Sequence, residues 1–316
     1  MTPSSIKYSF VLPAYKSQFL RESIDSILAQ SYKDFELIIV DDASPDDIGG
    51  LVSSYDDARI RYYRNEENIG GTNLVAQWNH SIEYANGDWI ILATDDDIYE
   101  NAFLETADKL LGKYPDVDIF RGRISSFNSS SPETVRDAEV CMPEFACFEE
   151  FAYSIFHGLG GGIPQYVFRR KALMGLGGFV KFPKALGSDN AIALLLAQKG
   201  IVCSGEYLVR FRFSGQNISS EGNYIEEKAV ATIMKFAFIY NRIVSQLSDD
   251  TIYKKHWNQF WRNMYPYNVK IDILNQIYKI PFLKRKQFID LIDQYTPYLD
   301  SRNKFTLKFR VFFKIK

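Results

Sequence analysis

Trp89-Ile90-Ile91-Leu92-Ala93-Thr94-Asp95-Asp96-Asp97-Ile98-Tyr99 is an apolar run that breaks into three consecutive carboxylates. A short apolar run preceded by the turn pair Asn86-Gly87 reads as a buried strand. Three acids at its C-terminal end repel one another unless something positive sits there. A divalent cation such as Mg²⁺ or Mn²⁺, which takes hard oxygen ligands, would compensate them; a solvated acidic turn is the plain alternative. In open α/β sheets, ligands gather at the carboxyl ends of strands.

Working outward, strand-like and helix-like segments alternate. Tyr8 to Leu12 is a short apolar run stopped by Pro13. Ser17 can cap a helix with Leu20, Ile24, Ile27 and Leu28 on one face. Phe35 to Val40 reads as a buried strand ending in Asp41-Asp42. Ile48 to Tyr55 follows as a helix, Arg59 to Tyr63 as a strand, Thr72 to Ala85 as a helix and Ala102 to Leu111 as another. This β-α-β-α order predicts a mainly parallel, doubly wound sheet. Ser125 to Pro132 reads as a loop by composition. Gly158 to Gly162 (Gly-Leu-Gly-Gly-Gly) reads as a tight turn, and Asn190 to Gln198 as a helix. Arg169 and Arg170 read as a solvated or ion-paired face at a strand end. From about Ile225 the chain looks helical and aromatic-rich. Between Arg302 and Lys316 there are six Lys or Arg and no acid, with apolar residues at 305, 307, 309, 311, 313 and 315. That period of two predicts a strand. A basic, aromatic tail can also dock on anionic lipid.

The bulk properties narrow the class. The 316 residues suffice for one large domain or two small ones, and 46% hydrophobic with 24% charged residues is a globular balance. A net charge of −2 argues against a dedicated nucleic-acid binder. Phe and Tyr are frequent, at 24 and 20, enough to fill a core and line a groove. The three cysteines, Cys141, Cys147 and Cys203, have no metal-ligand spacing and fit a reduced compartment. The first residues lack the layout of a signal peptide, and no stretch reaches the ~18 apolar residues of a membrane span. The expectation is a cytoplasmic protein that can touch the inner face of a membrane.

In a parallel sheet Asp41-Asp42 and Asp95-Asp96-Asp97 would face the same edge. One group could hydrogen-bond a base or ribose while the other holds a metal against a pyrophosphate, which then leaves with its charge neutralised. No G-x-x-x-x-G-K-[ST] is present, and neither glycine cluster completes G-x-G-x-x-G between a strand and a helix. Phosphate binding would therefore rest on the metal and scattered donors.

The runs Phe10-Val11-Leu12-Pro13-Ala14-Tyr15, Ser26-Ile27-Leu28-Ala29-Gln30-Ser31-Tyr32 and Phe35-Glu36-Leu37-Ile38-Ile39-Val40-Asp41-Asp42-Ala43-Ser44 resemble the opening of family 2 glycosyltransferases. Asn68-Ile69-Gly70, Asn79, Gly87-Asp88-Trp89-Ile90, the acidic triplet, Gly178-Phe179 and Ser188-Asp189-Asn190 continue the match in order, over about residues 6 to 220. The resemblance implies a GT-A (Rossmann-like) fold, mainly parallel and flanked by helices, and metal-dependent inverting sugar transfer from a nucleotide diphosphate donor, UDP favoured. The implied acceptor is a saccharide, in bacterial surface-polysaccharide synthesis, where a lipid-linked acceptor would be found. It implies a glycosyltransferase domain over 1–222, with a nucleotide-sugar half (1–122) and an acceptor half (123–222), followed by a helical region over 223–316.

By the same resemblance Asp42 would contact the base, and Pro13 and Tyr15 would border base and ribose. Asp95 would face the ribose and Asp96 would hold Mn²⁺ or Mg²⁺, with Asp97 as the metal ligand in a variant register. Asp189 would be the base that takes the acceptor's proton. As residue chemistry alone, Asp189 reads as a helix cap ahead of a base, a cap that Ser188 would supply equally well, and the two roles are compatible because a cap holds the carboxylate still. Gly160 and Gly161 would line the acceptor cleft, where bare backbone lets a sugar approach. His157 is a candidate acceptor contact. Two departures stand out. Gln77 and Trp78 replace a small residue and an arginine common in relatives. Arg212 lies where relatives often carry a histidine in a closing loop, and would serve there as a cation on the phosphates. No Q-x-x-R-W segment of a processive synthase is present. A non-catalytic nucleotide-sugar binder keeping the fold is the rival reading. A phosphoryl transferase would need a gripping loop after the first strand, which Pro13-Ala14-Tyr15 does not provide.

Overall fold

A computed structural model of the chain describes residues 6–129, 131–136, 141–157, 159–215, 217–218, 224–246 and 252–312. The strands are β1 (Tyr8–Ala14), β2 (Phe35–Asp41), β3 (Ile60–Arg64), β4 (Trp89–Leu92), β5 (Ile98–Tyr99), β6 (Ile119–Asn128), β7 (Ser131–Arg136), β8 (Phe145–Ala146), β9 (Tyr166–Arg169) and β10 (Ile201–Phe213). The α-helices are α1 (Leu20–Leu28), α2 (Ile48–Ser53), α3 (Leu74–Ile82), α4 (Phe103–Lys113), α5 (Phe148–Phe156), α6 (Arg170–Gly175), α7 (Ser188–Leu196), α8 (Ile225–Arg242), α9 (Ile252–Ile277), α10 (Gln287–Tyr295) and α11 (Ser301–Phe312).

All ten strands join one sheet in the order β3-β2-β1-β4-β9-β6-β10-β5, with β7 on β6 and β8 on β10. β3, β2, β1 and β4 are mutually parallel, and β6 runs parallel to β10. The short strands β5, β7, β8 and β9 pair antiparallel. Strand β2 is buried at every position, as a strand covered on both faces should be. Its one buried acid in mid-strand, Glu36, ties three segments together. It accepts from Ser9 Oγ (2.7 Å), from the Asn86 backbone N–H (2.7 Å) and from Arg61 Nη1 (2.7 Å). Burial pushes its pKa up, but those donors outweigh it and hold the carboxyl below its usual range. Gly87 lies so close to β1 that an added Cβ would meet Ser9 N at 2.8 Å. The Asn86-Gly87 turn thus sets where β4 starts, and with it where the acidic triplet ends up.

Three expectations change. Strand β1 does not stop at Pro13. It pairs with β2 through Ala14↔Asp41, while its pairing with β4 ends at Val11↔Leu92. Beyond Val11 one side of β1 carries no ladder, so a residue without an N–H costs nothing there. Ser17 does not cap α1; its hydroxyl donates to Asp46 Oδ2 (2.8 Å), and α1 has no side-chain cap. The serine-rich segment from Ser125 is strand, not loop: β6 continues to Asn128 and pairs with β7. Ser125 is 6% exposed, and pairing with β10 on one side and β7 on the other overrides its loop-like composition.

The chain packs as two compact units. The first runs to Phe179 and takes in Ile192–Asn217; the second comprises Val180–Ala191 and the chain from Ile218 onward. The first holds the sheet and the larger core, including Phe10, Ile39, Ile91 and Phe120. In the second, Phe182, Ala191 and Ala231 form a small core against α8. Its C-terminal segment corrects the strand expectation, because Ser301–Phe312 is the helix α11. Two residues along a helix turn through ~200°, so alternating apolar residues there fall on two opposite faces. Leu307 and Val311 are fully buried, whereas Phe305 is 70% and Phe309 44% exposed. Residues 313–316 lie outside the described residues.

Candidate active site

Parallel pairing of β2, β1 and β4 brings their C-terminal ends to one edge of the sheet. Asp41-Asp42, the loop Pro13–Lys16 and the triplet Asp95–Asp97 meet there. Asp41 is fully buried and builds the turn. Its Oδ1 accepts from Ser44 N (2.8 Å), and its Oδ2 accepts from Tyr62 Oη (2.7 Å) and pairs with Arg64. The turn passes through Ala43 at φ +52°, a left-handed conformation for a residue with a Cβ. Asp42 accepts from Asn65 Nδ2 (2.8 Å), Ile69 N (2.9 Å) and Gly70 N (2.7 Å). A carboxylate has about four lone-pair sites, so one remains for a ligand. A Cβ on Gly70 would stand 2.8 Å from Asp42 Oδ2, which explains why this loop closes on glycine.

The first strand's loop joins both acidic ends. Tyr15 N (3.2 Å) and Lys16 N (3.0 Å) donate to Asp95 Oδ2, while the Tyr15 carbonyl accepts from Ser44 Oγ (2.7 Å). The Tyr15 ring is left 41% exposed beside these acids. Asp97 is fully buried, with Oδ2 accepting from Thr94 Oγ1 (2.6 Å) and Oδ1 from Arg212 N (2.9 Å). Asp96 accepts from Asn217 Nδ2 at 3.1 Å. Burial raises the pKa of all three, and the neighbouring acid raises Asp96 and Asp97 further. The described residues give none of the three an ion pair.

These carboxylates suit a divalent cation in part. Among the described residues no three His, Cys, Asp or Glu side chains form a ready-made metal cluster. Mg²⁺ and Mn²⁺ sites that act on phosphates commonly use one or two carboxylates and take further oxygens from the substrate. Asp96 is the least committed of the triplet, and Asp95 keeps its second oxygen outside the loop's hydrogen bonds. Asp97 has both oxygens occupied from within the protein, so it fits a structural role better than a ligand role.

Arg212, the candidate phosphate cation, is held by partners within the protein. It is 4% exposed, its Nε donates to the Asp96 carbonyl (2.8 Å) and its Nη2 to Glu22 (2.6 Å). Its guanidinium lies 4.2 Å from the Phe19 ring centroid and 4.7 Å from that of Phe127. The side chain clamps the triplet's backbone, which sequence spacing alone could not distinguish from a phosphate contact.

Asp189 stands in the first turn of α7, in the part of the chain that groups with the second unit. The backbone feeding it is unusual: Lys184 (φ +52°), Ala185 (φ +57°) and Gly187 (φ +91°) are all left-handed. Its Oδ1 accepts from Asn190 N (2.8 Å), in keeping with a helix-terminal carboxylate. Burial raises its pKa, opposed by that N–H and by the charge of Lys235 on α8. Burial lowers the pKa of Lys235, opposed by Asp272 on α9 and by Asp189. The Lys235 stem packs so tightly on Gly187 that a Cβ there would meet its Cδ at 2.6 Å. Beside Asp189, the fully buried Ser188 hydroxyl has no hydrogen-bond partner among the described residues.

The remaining candidates are in the first unit. His157 caps the C-terminus of α5, with its ring stacked on Tyr153 at 3.9 Å and its Nδ1 2.8 Å from the Tyr153 carbonyl. Gly158 lies outside the described residues. Gly160 has open space around it, and its carbonyl accepts from Arg121 Nη2 (2.9 Å). Gly161 (φ +136°) packs where a Cβ would collide with the Gln165 side chain. Arg169 is ion-paired with Asp118 (2.9 Å), as a strand-end arginine should be. Gln77 is buried and accepts from Asn65 Nδ2 (2.8 Å), so it braces the residue that holds Asp42. Trp78 packs edge-on against Phe179 at 5.6 Å.

Sequence reasoning missed the partners of the acids and of Arg212. Lys16 N, Asn65 and Asn217, which hold the acids, and Glu22, which holds Arg212, carry no signal of their own, being polar residues on loops or helix surfaces. One pairing was legible in halves. Asn79 and Gly178-Phe179 are separate motif pieces in the sequence, yet Asn79 brackets Phe179 through its N–H (2.7 Å) and its carbonyl (3.1 Å).

A family model described as glycosyl transferase family 2 matches residues 9–175. Glycosyltransferase GlyA of Streptococcus pneumoniae is 33% identical over 127 residues, which are 39% of this chain and 18% of that protein. The GalNAc(5)-diNAcBac-PP-undecaprenol beta-1,3-glucosyltransferase of Campylobacter jejuni is 35% identical over 103 residues, 32% of this chain and 33% of that one. The chain thus spans well under half the length of these relatives. The crystal structure of S. aureus TarS with UDP-GlcNAc superposes with a TM-score of 0.69 at 18% identity, covering 94% of this chain and 82% of that one. That likeness establishes the GT-A fold, with a helical region following it. The matched segment contains the sheet edge where Asp42, Tyr15 and the Asp95–Asp97 triplet converge, and the chain belongs to glycosyl transferase family 2.

Proposed function

We propose that this chain catalyses metal-dependent, inverting transfer of a sugar from a nucleotide diphosphate donor, UDP favoured, to a saccharide acceptor in polysaccharide biosynthesis. The observation that carries the reading is the joint held by Tyr15: one backbone unit hydrogen-bonds to Asp95 on one side and to Ser44, in the Asp41-Asp42 turn, on the other. A nucleoside at that edge would meet Asp42's remaining acceptor capacity, the Tyr15 ring and Asp95. Asp96, with Asp95 beside it, would hold Mn²⁺ or Mg²⁺, which when bound neutralises the diphosphate that leaves. The nucleotide preference draws support from the UDP-GlcNAc complex of the structural neighbour. The lipid-linked acceptor class draws support from the undecaprenol-linked substrate in the Campylobacter relative's name.

Asp189 is assigned as the base that takes the acceptor hydroxyl's proton. Its raised pKa makes it a better proton acceptor than an ordinary carboxylate, and its hydrogen bond to Asn190 N holds it still. Gly160 and Gly161 are assigned to the acceptor side. Domain limits of 1–222 and 223–316 go with this reading, as does work at the cytoplasmic face of the membrane. Among the described residues no helix is long and apolar enough to cross a bilayer.

The test is a thermal-shift series with UDP, GDP, dTDP and CDP, each with Mn²⁺, Mg²⁺ or EDTA, on wild type and Asp96→Ala. One nucleotide should stabilise the wild type by about 2–3 kcal/mol at ~100 times its Kd, only with metal, and not the variant. Failure of every nucleotide to stabilise the wild type would overturn the donor site. Stabilisation without turnover on any acceptor would favour a nucleotide-sugar binder that keeps the fold.

A further inference from the structure

Helix α11 has two apolar faces. Leu307 and Val311 point into the protein and are fully buried. One half-turn away Phe305 and Phe309 lie side by side, ring centroids 6.1 Å apart, at 70% and 44% exposure. A helix at a water-facing surface normally carries polar residues there. The charges flanking this pair are all of one sign: Arg302, Lys304, Lys308 and Arg310, with no acid anywhere in the helix. Lys308 is ion-paired with Asp293, while the described residues give Arg302, Lys304 and Arg310 no ion pair. The face continues onto α9, where Thr306 and Arg310 share a groove with Tyr267, Lys270 and Ile271. Tyr267 and Ile271 are themselves 57% and 38% exposed. Exposed aromatics set among unopposed cations, on a helix lying along the surface, are the features of an interfacial helix. A protein partner would need a matching apolar groove lined with acids; an anionic bilayer offers both properties everywhere on its surface.

We propose that the outward face of α11, extended by Tyr267 and Ile271 of α9, is a docking surface for an anionic lipid bilayer. Phe305 and Phe309 enter the boundary between headgroups and acyl chains, and Arg302, Lys304 and Arg310 sit at the level of the phosphates. The binding is reversible and salt-sensitive, because the attachment is through one surface helix whose cations act through a screened field. The proposal is independent of the donor chemistry at the sheet edge.

Co-sedimentation of the full chain with vesicles tests it. One set is phosphatidylcholine alone, the other phosphatidylcholine mixed with phosphatidylglycerol, each at low and high salt. Wild type should pellet with the mixed vesicles at low salt and stay in solution with the neutral ones. Arg302→Gln/Lys304→Gln/Arg310→Gln should lower partitioning on the order of a hundredfold. Phe305→Ser/Phe309→Ser should lower it at least about tenfold. All five positions lie outside the Leu307–Val311 seam, and unchanged far-ultraviolet circular dichroism with an unchanged nucleotide thermal shift shows that the variants remain folded. In a Phe305→Trp variant the indole emission should move to the blue on mixed vesicles only. Equal pelleting with neutral vesicles, no pelleting at all, or variants that pellet like wild type would each overturn the proposal. So would a wild-type dimer in light scattering that the double Phe variant dissolves, which would assign the face to a second copy of the chain.

Discussion

The carboxylates at the sheet edge and the carboxylate on α7 are held in different ways. Asp42 takes three hydrogen bonds, all from donors remote in sequence, and Asp97 takes two, one from the nearby Thr94 hydroxyl and one from the remote Arg212 N–H. Asp189 takes one, from the backbone of the very next residue, and feels Lys235 through space. Acids fixed by several N–H groups keep their geometry and serve as walls and posts for a ligand. An acid with one donor and a raised pKa is free to exchange a proton. Asp96 also has one donor and a raised pKa, but it is raised by the acid beside it as well as by burial, whereas Asp189 faces Lys235. The contrast gives the proposed proton-transfer role of Asp189 its test.

The sharpest way to break it is Asp189→Asn. Transfer should fall by about 10²–10⁴, while the metal-dependent nucleotide thermal shift stays at the wild-type value. Loss of the shift as well would mean that Asp189 also positions the donor. Next in size is Gly70→Ala. The added methyl would displace Asp42 Oδ2, so nucleotide affinity should drop about tenfold, corresponding to loss of one to two hydrogen bonds; isothermal titration with UDP and Mn²⁺ reads it. Asn79→Ala removes both hydrogen bonds that bracket Phe179 and should cost about 1–3 kcal/mol in urea unfolding, with nucleotide binding unchanged.

The smallest effect concerns pH. Asp189 must be ionised to accept a proton, and burial raises its pKa. The acid limb of kcat/KM should therefore lie above the usual carboxylate range, with activity lost as pH falls through it. Lys235 pulls that pKa down, so Lys235→Met should move the limb to higher pH while leaving the alkaline plateau in place. A limb that stays put would remove Lys235 from the chemistry and leave it as packing on Gly187.

How legible each region was in the sequence follows from the range of its interactions. The strands β1, β2 and β4 and their acidic ends are local patterns, apolar runs and the residues that stop them, so they could be read directly. Many of the donors that fix those acids come from far along the chain: 23 residues for Asn65 on Asp42, 115 for Arg212 on Asp97 and 121 for Asn217 on Asp96. Pairing of that kind leaves no periodic trace. Arg212 was visible as a cation but not as a buried clamp, because the difference lies in Phe19, Phe127 and Glu22, which only folding brings to it. Ser125 to Asn128 looked like loop because strand pairing on both sides overrode composition. In α11 the misreading has a geometric cause: alternation is the mark of a strand only if one face is polar, and here both faces are apolar with cations between.

The link between Asp97 and Arg212 also bears on the order in which the protein is made. Asp95, Asp96 and Asp97 leave the ribosome more than a hundred residues before β10, which supplies the Arg212 N–H and guanidinium, and before Asn217, which follows that strand and supplies its amide. Until β10 is synthesised and docks beside β6, three adjacent acids lack the partners that β10 and Asn217 supply. The sheet edge therefore matures late, in a step of long contact separation that should be slow relative to local helix formation. A nascent chain halted before residue 212 should carry β1 to β4 and yet bind no nucleotide.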